Sequence, residues 1–559
     1  MNRTDHLARI SGRHFQVLVI GGGITGAGIA WDCALRGLTV ALLERSDFGA
    51  GTSGVSSKMV HAGLRYMVND PGLVSEAAVE RQRMFWACPH LTRPVEFLLP
   101  AYPDTPEYNA ETLPQILARY DRLAGDALTA AHGWLSDEQA HRLVPGLRSG
   151  ALRVGSYWDG VMDDSRVTLA VIRSAVKHGA AVANHAEVTS FLTDGKGRVR
   201  GARFRDRAPG AGRAEHEVTA DAVVSAAGPY TDLLLALDGA GPQEPAIRPS
   251  KGMHLVFRKP ITSGRALVIP IGGNVLYFLV PWYRDYLIMG TTDTDYPVRD
   301  YSALDRIPVL EEEIRYNLQL LQRVLPGCFR AEDILACYSG VRPLVRPQGA
   351  SAPKQSESDT SRTHRIWRTD SGIWAIAGGK FTTFRLMAEQ LTDQVAADLA
   401  ARGLARGPSA CTTAERRYFG APERHEYPDG IGSWIRDTAA QLQRRTGLDE
   451  ECCRHLAEAY GTEAGKVAEL ARSDPRLGER LASDRPFIRA EILYAVREEM
   501  CVTLADFLSR RSPLRFLDHQ GMDVARKAAS QMAGFLGWDE AELNAQIESY
   551  EGGLSWVPV

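Results

Sequence analysis

The apolar positions of the chain change period several times, and each change predicts an element. Residues 15–45 open with FQVLVI, a short β-branched run bounded by glycine, as expected of a buried parallel strand. ITGAGIAWDCALRG follows, with small and apolar residues at helical spacing, and stops at Gly37; LTVALLE then returns to a strand pattern. The three segments make one βαβ unit. Further on, TLAVIRSAVKHG (168–179) reads as a helix, AAVANHAEVTSFL as extended chain, and VRGARFRD and HEVTADAVVSAAG as strands, the last running into a glycine. Between 250 and 300, MHLVFRK, ALVIPIGG, VLYFLVPWY and YLIMGTTD predict consecutive strands of a largely antiparallel sheet. RIWR and GIWAIAGG predict another pair, followed by the helix KFTTFRLMAEQLTDQVAADLAARG. Beyond about 400 short helices dominate, which places a boundary there, and the polar, aperiodic stretch at 349–362 predicts a loop.

One uncharged stretch, Phe15 to Trp31, invites a different reading. A membrane span needs about 20 mostly apolar residues, and five glycines break this one into strand, turn and helix. No other segment has the length and apolarity to cross a bilayer, and MNRTDHLARISGRH lacks the apolar run of a secretory signal. The 559 residues suggest three or four domains. The 65 Lys and Arg against 68 Asp and Glu leave a net charge of −3, without the basic excess of a dedicated nucleic-acid binder. A local basic pocket for an anion stays open. The eight cysteines form no CxxC pair, which predicts reduced thiols rather than a disulfide scaffold or a zinc site, and no metal is expected.

The glycine excess sits in clusters that carry chemistry. Gly21-Gly22-Gly23-Ile24-Thr25-Gly26 matches GxGxxG between the first strand and its helix. Gly21 permits the turn, Gly23 lets backbone approach a pyrophosphate, and Gly26 lets helix pack on strand; the helix N-terminus then offers free N–H groups to phosphates. Glu44, ending the next strand, can accept hydrogen bonds from adenosine ribose hydroxyls, and its charge disfavours a 2′-phosphate. A nicotinamide enzyme would continue in alternating βα units. This chain instead enters a loop of small and hydroxyl residues at 49–58 and much later presents a second strand–glycine–helix junction, Ala375-Ile376-Ala377-Gly378-Gly379-Lys380-Phe381-Thr382-Thr383. Two glycine junctions so far apart suggest one extended ligand held at both ends, which fits FAD better than NAD. The second helix N-terminus favours the negative charge that builds on a reduced flavin.

These motifs are long enough to carry a family resemblance. IGGGITGAGIAWDCALRGLTVALLE, GTSGVSSKMVHAGLRYM, WDGVMDDSRVTLAVIRSA, AAGPYTD, RPSKGMHLVF, GTTDTDY, YSGVRPLV, SRTHRIW and GGKFTTFRLMAEQ, with a tail ending in DFLSRRSPLRFLD, resemble the FAD-dependent glycerol-3-phosphate dehydrogenases, within the D-amino-acid-oxidase-like flavoproteins. The family's HGGLRYL is His61-Ala62-Gly63-Leu64-Arg65-Tyr66-Met67 here. The resemblance implies an α/β fold: a Rossmann-like FAD-binding domain, an antiparallel-sheet substrate domain and an all-helical C-terminal domain. We expect the FAD-binding domain over 15–100, 155–245 and 346–398, the substrate domain over 101–154 and 246–345, and the helical domain over 399–559.

The implied reaction is oxidation of sn-glycerol 3-phosphate to dihydroxyacetone phosphate, with a hydride passing from C2 to flavin N5 and electrons then reaching a membrane quinone. A phosphate dianion needs fixed cations, and arginine offers a planar donor fork. Arg65, Arg342, Arg362 and Lys380 match the family's substrate-binding positions, with Tyr66 beside them. A base must take the C2 hydroxyl proton, and histidine suits neutral pH. His254 and His61 both sit in family motifs; we favour His254 as base, with Arg342 or Lys380 assisting at the nascent alkoxide, and assign His61 to the cofactor. Non-covalent FAD is expected to meet Gly21, Gly23, Ile24, Thr25 and Gly26 at the first junction. Glu44 and Arg45 follow at the second strand's end, and Thr52, Ser53, Ser57 and Lys58 in the small-residue loop. Val188, Ala227 and Gly228 are expected in the middle of the chain, and Gly379, Lys380, Phe381, Thr382 and Thr383 at the second junction. The resemblance further implies a cytoplasmic protein bound peripherally to the inner face of the cytoplasmic membrane. Arg510-Arg511-Ser512-Pro513-Leu514-Arg515-Phe516 is a candidate contact stretch, its alternative being a structural helix end. A homodimer, a glycerol-3-phosphate oxidase using O2, and another enzyme on the same scaffold stay open.

Overall fold

The computed structural model describes the chain except residues 68, 106–107, 213, 240–244, 273–274, 347–362, 406, 408 and 557–559. Among the described residues there are two sheets, of eight and ten strands, followed by a helical C-terminal region. The first strand, His14–Ile20, lies in the middle of the eight-stranded sheet, parallel to Val40–Leu43 on one side and to Glu215–Ser225 on the other. Both of its faces are covered, which is why VLVI reads as an unbroken apolar run. Trp374–Ala377 extends the parallel set beyond Glu215–Ser225. The helix Ile24–Leu35 is buried nearly throughout, and packs with Asp164–Lys177 and Phe384–Ala401 in one apolar cluster. The strand ends of this sheet that carry Gly21, Glu44, Ala226 and Gly378 therefore open onto one crevice, where open α/β sheets bind ligands.

The ten-stranded sheet is mostly antiparallel, as its alternating pattern predicts, with one parallel pair between Ala266–Leu267 and Phe97–Leu98. Its membership differs from the boundaries expected above. Met59–Val60, Thr92–Ala101 and Arg153–Met162 belong to this sheet, although most of these residues were expected in the FAD-binding domain. An apolar strand pattern states that a strand is buried, and not which sheet it joins.

The central pair of this sheet, Ile247–Arg258 and Ile334–Val345, runs antiparallel in a register that opposes Ser250 to Arg342, Gly252 to Gly340 and His254 to Tyr338. Directly opposed residues share a face. One face thus presents His254 and Arg342 at opposite corners, with two glycines side by side between them. Further along this same face the sheet packs against the C-terminal helices, where Val256, Tyr286, Ile288 and Ala336 meet Phe487, Leu504, Phe507 and Phe516 in a shared core, while Met253, Leu255 and Cys337 on the opposite face pack with Leu320, Leu321 and Val324. Those helices are well specified locally. Asp449 and Asp539 cap Glu450–Tyr460 and Glu540–Gly552, each accepting a backbone N–H at 2.8 Å.

Candidate active site

A cavity of about 650 Å³ runs between the two sheets and reaches the C-terminal region. The first glycine junction forms one wall. Gly21 has φ +112°, a conformation that a side chain would strain, and a Cβ on Gly26 would overlap the Gly21 carbonyl oxygen. The strand–turn–helix geometry is therefore available to glycine alone at these two positions. The N-terminus of Ile24–Leu35 faces the cavity, with the Ile24 N–H donating to Ser53 Oγ at 3.0 Å. Glu44 accepts from the N–H groups of Gly22 at 2.6 Å and Ser46 at 2.7 Å; burial pushes its carboxyl up, and those two hydrogen bonds oppose the shift. A carboxylate has acceptor sites beyond these two. Arg45 stacks over Tyr230 and Tyr301, 5.3 and 5.0 Å from their ring centres, and pairs with Asp305.

The structure brings most of the expected cofactor residues to this cavity. Gly21, Gly23, Ile24, Thr25, Glu44, Arg45, Thr52, Ser53, Ser57, His61, Val188, Ala227, Gly228, Gly379, Lys380, Phe381 and Thr382 line it. Gly26 and Thr383 lie behind the lining as packing positions, and the Thr383 hydroxyl donates to the Lys380 carbonyl at 3.2 Å. Lys58 is placed elsewhere. Its ammonium is buried, 2.5 Å from Asp164 and 2.9 Å from the Gly54 carbonyl, with the ring centres of Phe516 and Trp282 4.4 and 5.3 Å away. A buried cation requires such a counter-charge, and this one is used up in holding the loop to the helix Asp164–Lys177. Arg362 lies outside the described residues.

The far end of the cavity holds the cationic group. Arg65, Tyr66, His254, Arg342 and Lys380 all line it. Arg342 is held from behind: Nη2 donates to Thr291 Oγ1 at 2.7 Å and to the Thr292 carbonyl at 3.0 Å, and Nη1 lies 3.4 Å from Asp293. A Cβ on Gly252 would meet this guanidinium, so the glycine gives Arg342 its room. Lys380 donates to the Ala62 carbonyl at 2.9 Å and lies 4.7 Å from the Tyr66 ring centre; Arg65 donates to the Tyr66 hydroxyl at 2.5 Å. The loop carrying Arg65 is pinned by the buried Asp159, which accepts from the Ala62 N–H at 3.0 Å and pairs with Arg81 at 2.5 Å. Ala62 itself is fully buried and fits the position that holds glycine in the family pattern.

His254 is nearly inaccessible and stacks on Tyr338, with 4.6 Å between ring centres. Its Nε2 is 2.8 Å from Ser57 Oγ, while Nδ1 finds no partner among the described residues. Burial, then Arg342 and Lys58, hold its pKa well below that of a free imidazole. The imidazole is therefore neutral at neutral pH, the state from which a general base must start. His61 is tied to the second glycine junction, its backbone N–H donating to Thr382 Oγ1 at 3.3 Å. Sequence reasoning assigned no site role to Thr291, Gly252 and Gly340, which shape the pocket from within family motifs, or to Thr503, Arg510, Arg515 and Ser549 from the C-terminal region, of which Arg510 and Arg515 were read as a candidate membrane contact. Strand register brings Gly252 and Gly340 together, and only the packing of the C-terminal helices brings Thr503, Arg510, Arg515 and Ser549 to the cavity.

The cradle tests well for a long dinucleotide. It has a glycine turn where Cβ atoms are excluded, a helix N-terminus facing the cavity, a carboxylate at the second strand's end, and a second junction with Gly378 and Gly379 at φ +81° and +79°. Comparisons with known proteins agree. Residues 16–394 match the family described as FAD dependent oxidoreductase, and 411–543 match the C-terminal domain of alpha-glycerophosphate oxidase. The mitochondrial glycerol-3-phosphate dehydrogenase of Mus musculus is 36% identical over 563 residues, covering 96% of this chain and 72% of that protein. Glycerol-3-phosphate dehydrogenase 2 of Mycobacterium bovis is 35% identical over 550 residues, covering 97% of this chain and 88% of its own. The crystal structure of the Bacillus halodurans glycerol-3-phosphate dehydrogenase complexed with FAD superposes with a TM-score of 0.77 at 28% identity, covering 99% of this chain and 96% of that one. The chain belongs to the family of FAD-dependent glycerol-3-phosphate dehydrogenases.

Proposed function

We propose that this chain oxidises sn-glycerol 3-phosphate to dihydroxyacetone phosphate and delivers the electrons to a membrane quinone. The observation that carries this reading is the meeting of Arg65, Arg342, Lys380 and His254 at one end of the dinucleotide cavity. FAD, when bound along the cradle, supplies the two-electron acceptor for the C2 hydrogen. Arg342, fixed by Thr291 and Thr292, offers its fork to the substrate phosphate or alkoxide, and Lys380 and Arg65 add charge. His254 takes the C2 hydroxyl proton as the carbonyl forms, its neutral state secured by burial and by the neighbouring cations. The paired glycines Gly252 and Gly340 make room for the Arg342 guanidinium and for Val55, which pack against them.

Relatives named dehydrogenases over nearly the whole chain favour a quinone acceptor. No helix among the described residues is long and apolar enough to cross a membrane, so contact with the bilayer would be peripheral. The stretch Arg510–Phe516 is largely buried and offers no exposed contact surface. Arg511 is buried, and Arg510 and Arg511 are both ion-paired, because each faces a carboxylate inside the molecule. Anaerobic addition of sn-glycerol 3-phosphate should bleach the visible flavin spectrum. The reduced protein should then reoxidise faster with a ubiquinone analogue than with O2, whereas faster reoxidation by O2 with peroxide release would make it an oxidase. Flotation with anionic liposomes tests the membrane contact, and loss of the flavin on acid precipitation tests its non-covalent attachment.

A further inference from the structure

The loop that closes over the first glycine junction is held in part from outside its own domain. Residues 44–53 have no strand pairing, yet Gly49 donates its N–H to the Gly22 carbonyl at 3.0 Å, and Ser53 accepts from the helix N-terminus. In the middle of this loop sits Asp47, wholly buried. An unpaired carboxylate there would be prohibitively costly. Its partners come from more than 450 positions downstream: Arg511 forks onto it with Nη1 at 2.5 Å and Nη2 at 2.9 Å, and Arg510 donates from Nε at 2.5 Å. Asn184 adds a hydrogen bond at 2.8 Å.

Two adjacent residues of an ordinary helix point well apart. Here the Ser512 N–H donates to the Phe507 carbonyl at 2.9 Å, five residues back, so 507–511 form a π-helical turn. Such turns have more residues per revolution and recur at functional sites. This one aims both guanidiniums at one carboxylate. Arg510 also bridges to Asp506 at 2.8 Å, and Asp506 pairs with His185 at 3.0 Å; the His185 N–H donates to the Ser46 carbonyl at 2.5 Å. The set Asp47, Asp506, Arg510 and Arg511 balances in charge, and it encloses the loop from both ends.

We propose that the helical C-terminal domain is a cofactor-holding element, in which Arg510 and Arg511 act through Asp47 as positioning residues that keep loop 44–53 closed over the phosphate end of the cavity. This rests on FAD occupying that cavity. Arg511 stands behind the cavity lining and Arg510 reaches it; by fixing Asp47 they set the Glu44 carboxylate and the Ser53 hydroxyl in place. The loop also touches the substrate sheet, Thr52 Oγ1 donating to the Val341 carbonyl at 2.5 Å beside Arg342, so flavin release and not turnover is the quantity to follow.

The test uses flavin-loaded protein diluted into flavin-free buffer, with release followed as the rise in free-flavin fluorescence and folding followed by far-ultraviolet circular dichroism. Arg510→Gln keeps the Arg511 fork and should release FAD roughly tenfold faster than wild type or more, at temperatures where the dichroism is unchanged. Arg510→Lys, the milder change should the first variant not fold, should release it at an intermediate rate. Arg284→Gln is the control. It breaks a pair between the substrate sheet and the C-terminal helix Glu450–Tyr460, far in sequence from the loop, and should leave release within about twofold. Wild-type release rates in both Arg510 variants, or equal acceleration in Arg284→Gln, would overturn the proposal. A wild-type protein that takes up no FAD would overturn the cavity reading, and this inference with it.

Discussion

Arg342 reaches the cavity with both terminal nitrogens held, Nη2 by Thr291 Oγ1 and the Thr292 carbonyl and Nη1 by the Lys251 carbonyl at 3.2 Å. These bonds fix the orientation of the planar guanidinium, which a lysine cannot reproduce even though it keeps the charge. Hydrogen bonds to charged groups contribute about 1.5–3 kcal/mol, so Arg342→Lys should lower kcat/KM for sn-glycerol 3-phosphate by about 10–100-fold, as steady-state kinetics would show. A drop confined to KM would mark Arg342 as an anchor only. His254 makes a sharper prediction. Its pKa is held well below 6.5 by burial, Arg342 and Lys58, so the neutral base is already present at pH 6.5 and above. Between pH 6.5 and 8, kcat/KM should show no acid limb from this group, and an inflection near 6.5 that vanishes in His254→Asn would contradict the depressed value. The variant itself should lose about 10²–10⁴-fold in kcat.

At the scale of elements, the strand–turn–helix unit at 14–35 depends on two atoms not being there. A Cβ on Gly26 would overlap the Gly21 carbonyl, and overpacking of this kind costs about 1–3 kcal/mol even where neighbours can shift. Backbone cannot shift here without opening the turn that meets the phosphates. Gly26→Ala should therefore purify with about a tenth of the wild-type flavin or less, read from its visible absorbance, since each 1.4 kcal/mol is a factor of ten in affinity. Gly252→Ala separates the two functions. Its Cβ would meet the Arg342 guanidinium and Thr291 rather than the cofactor turn, so flavin content should hold while KM rises. Register explains the difference: Gly252 faces Gly340 across the central strand pair of the other sheet.

For the whole molecule, the buried histidines tie stability to pH. Burial, with help from nearby cations, depresses His6 to about 4 and His90 to about 3, and depresses His254 as well. In the unfolded chain each takes its proton near 6.5. Between these values the unfolded state binds more protons than the folded one, so stability falls as pH falls through that window. The Tm should decline steadily on acidification from pH 6.5 to about 4, and His90→Phe should remove part of that decline unless the cavity it leaves costs more than the proton. The fold also joins regions distant in the chain. One core holds strands of the substrate sheet together with helices beyond 480, and the cofactor cavity takes walls from both sheets and the C-terminal helices.

The sequence alone determined the features that depend on neighbours in the chain. The turn at Gly21–Gly26 is local, since a strand, three glycines and a small-residue helix can meet in few ways, and the second junction at Gly378–Gly379 has the same character. The family motifs extended this to Arg65, Arg342, Lys380 and His254, which the structure places around one cavity. Lys58 shows the limit. A lysine in a hydroxyl-rich loop reads as a cofactor contact until Asp164 and three aromatic rings are seen around it. Strands 92–101 and 153–162 show another, because burial is written in a strand's side chains while its partner is chosen by the fold. Arg510 and Arg511 look like an exposed basic run, and only tertiary structure reveals the buried Asp47 they serve. Pairing across hundreds of residues is decided by which surfaces can be buried together, and no spacing within the chain records that choice.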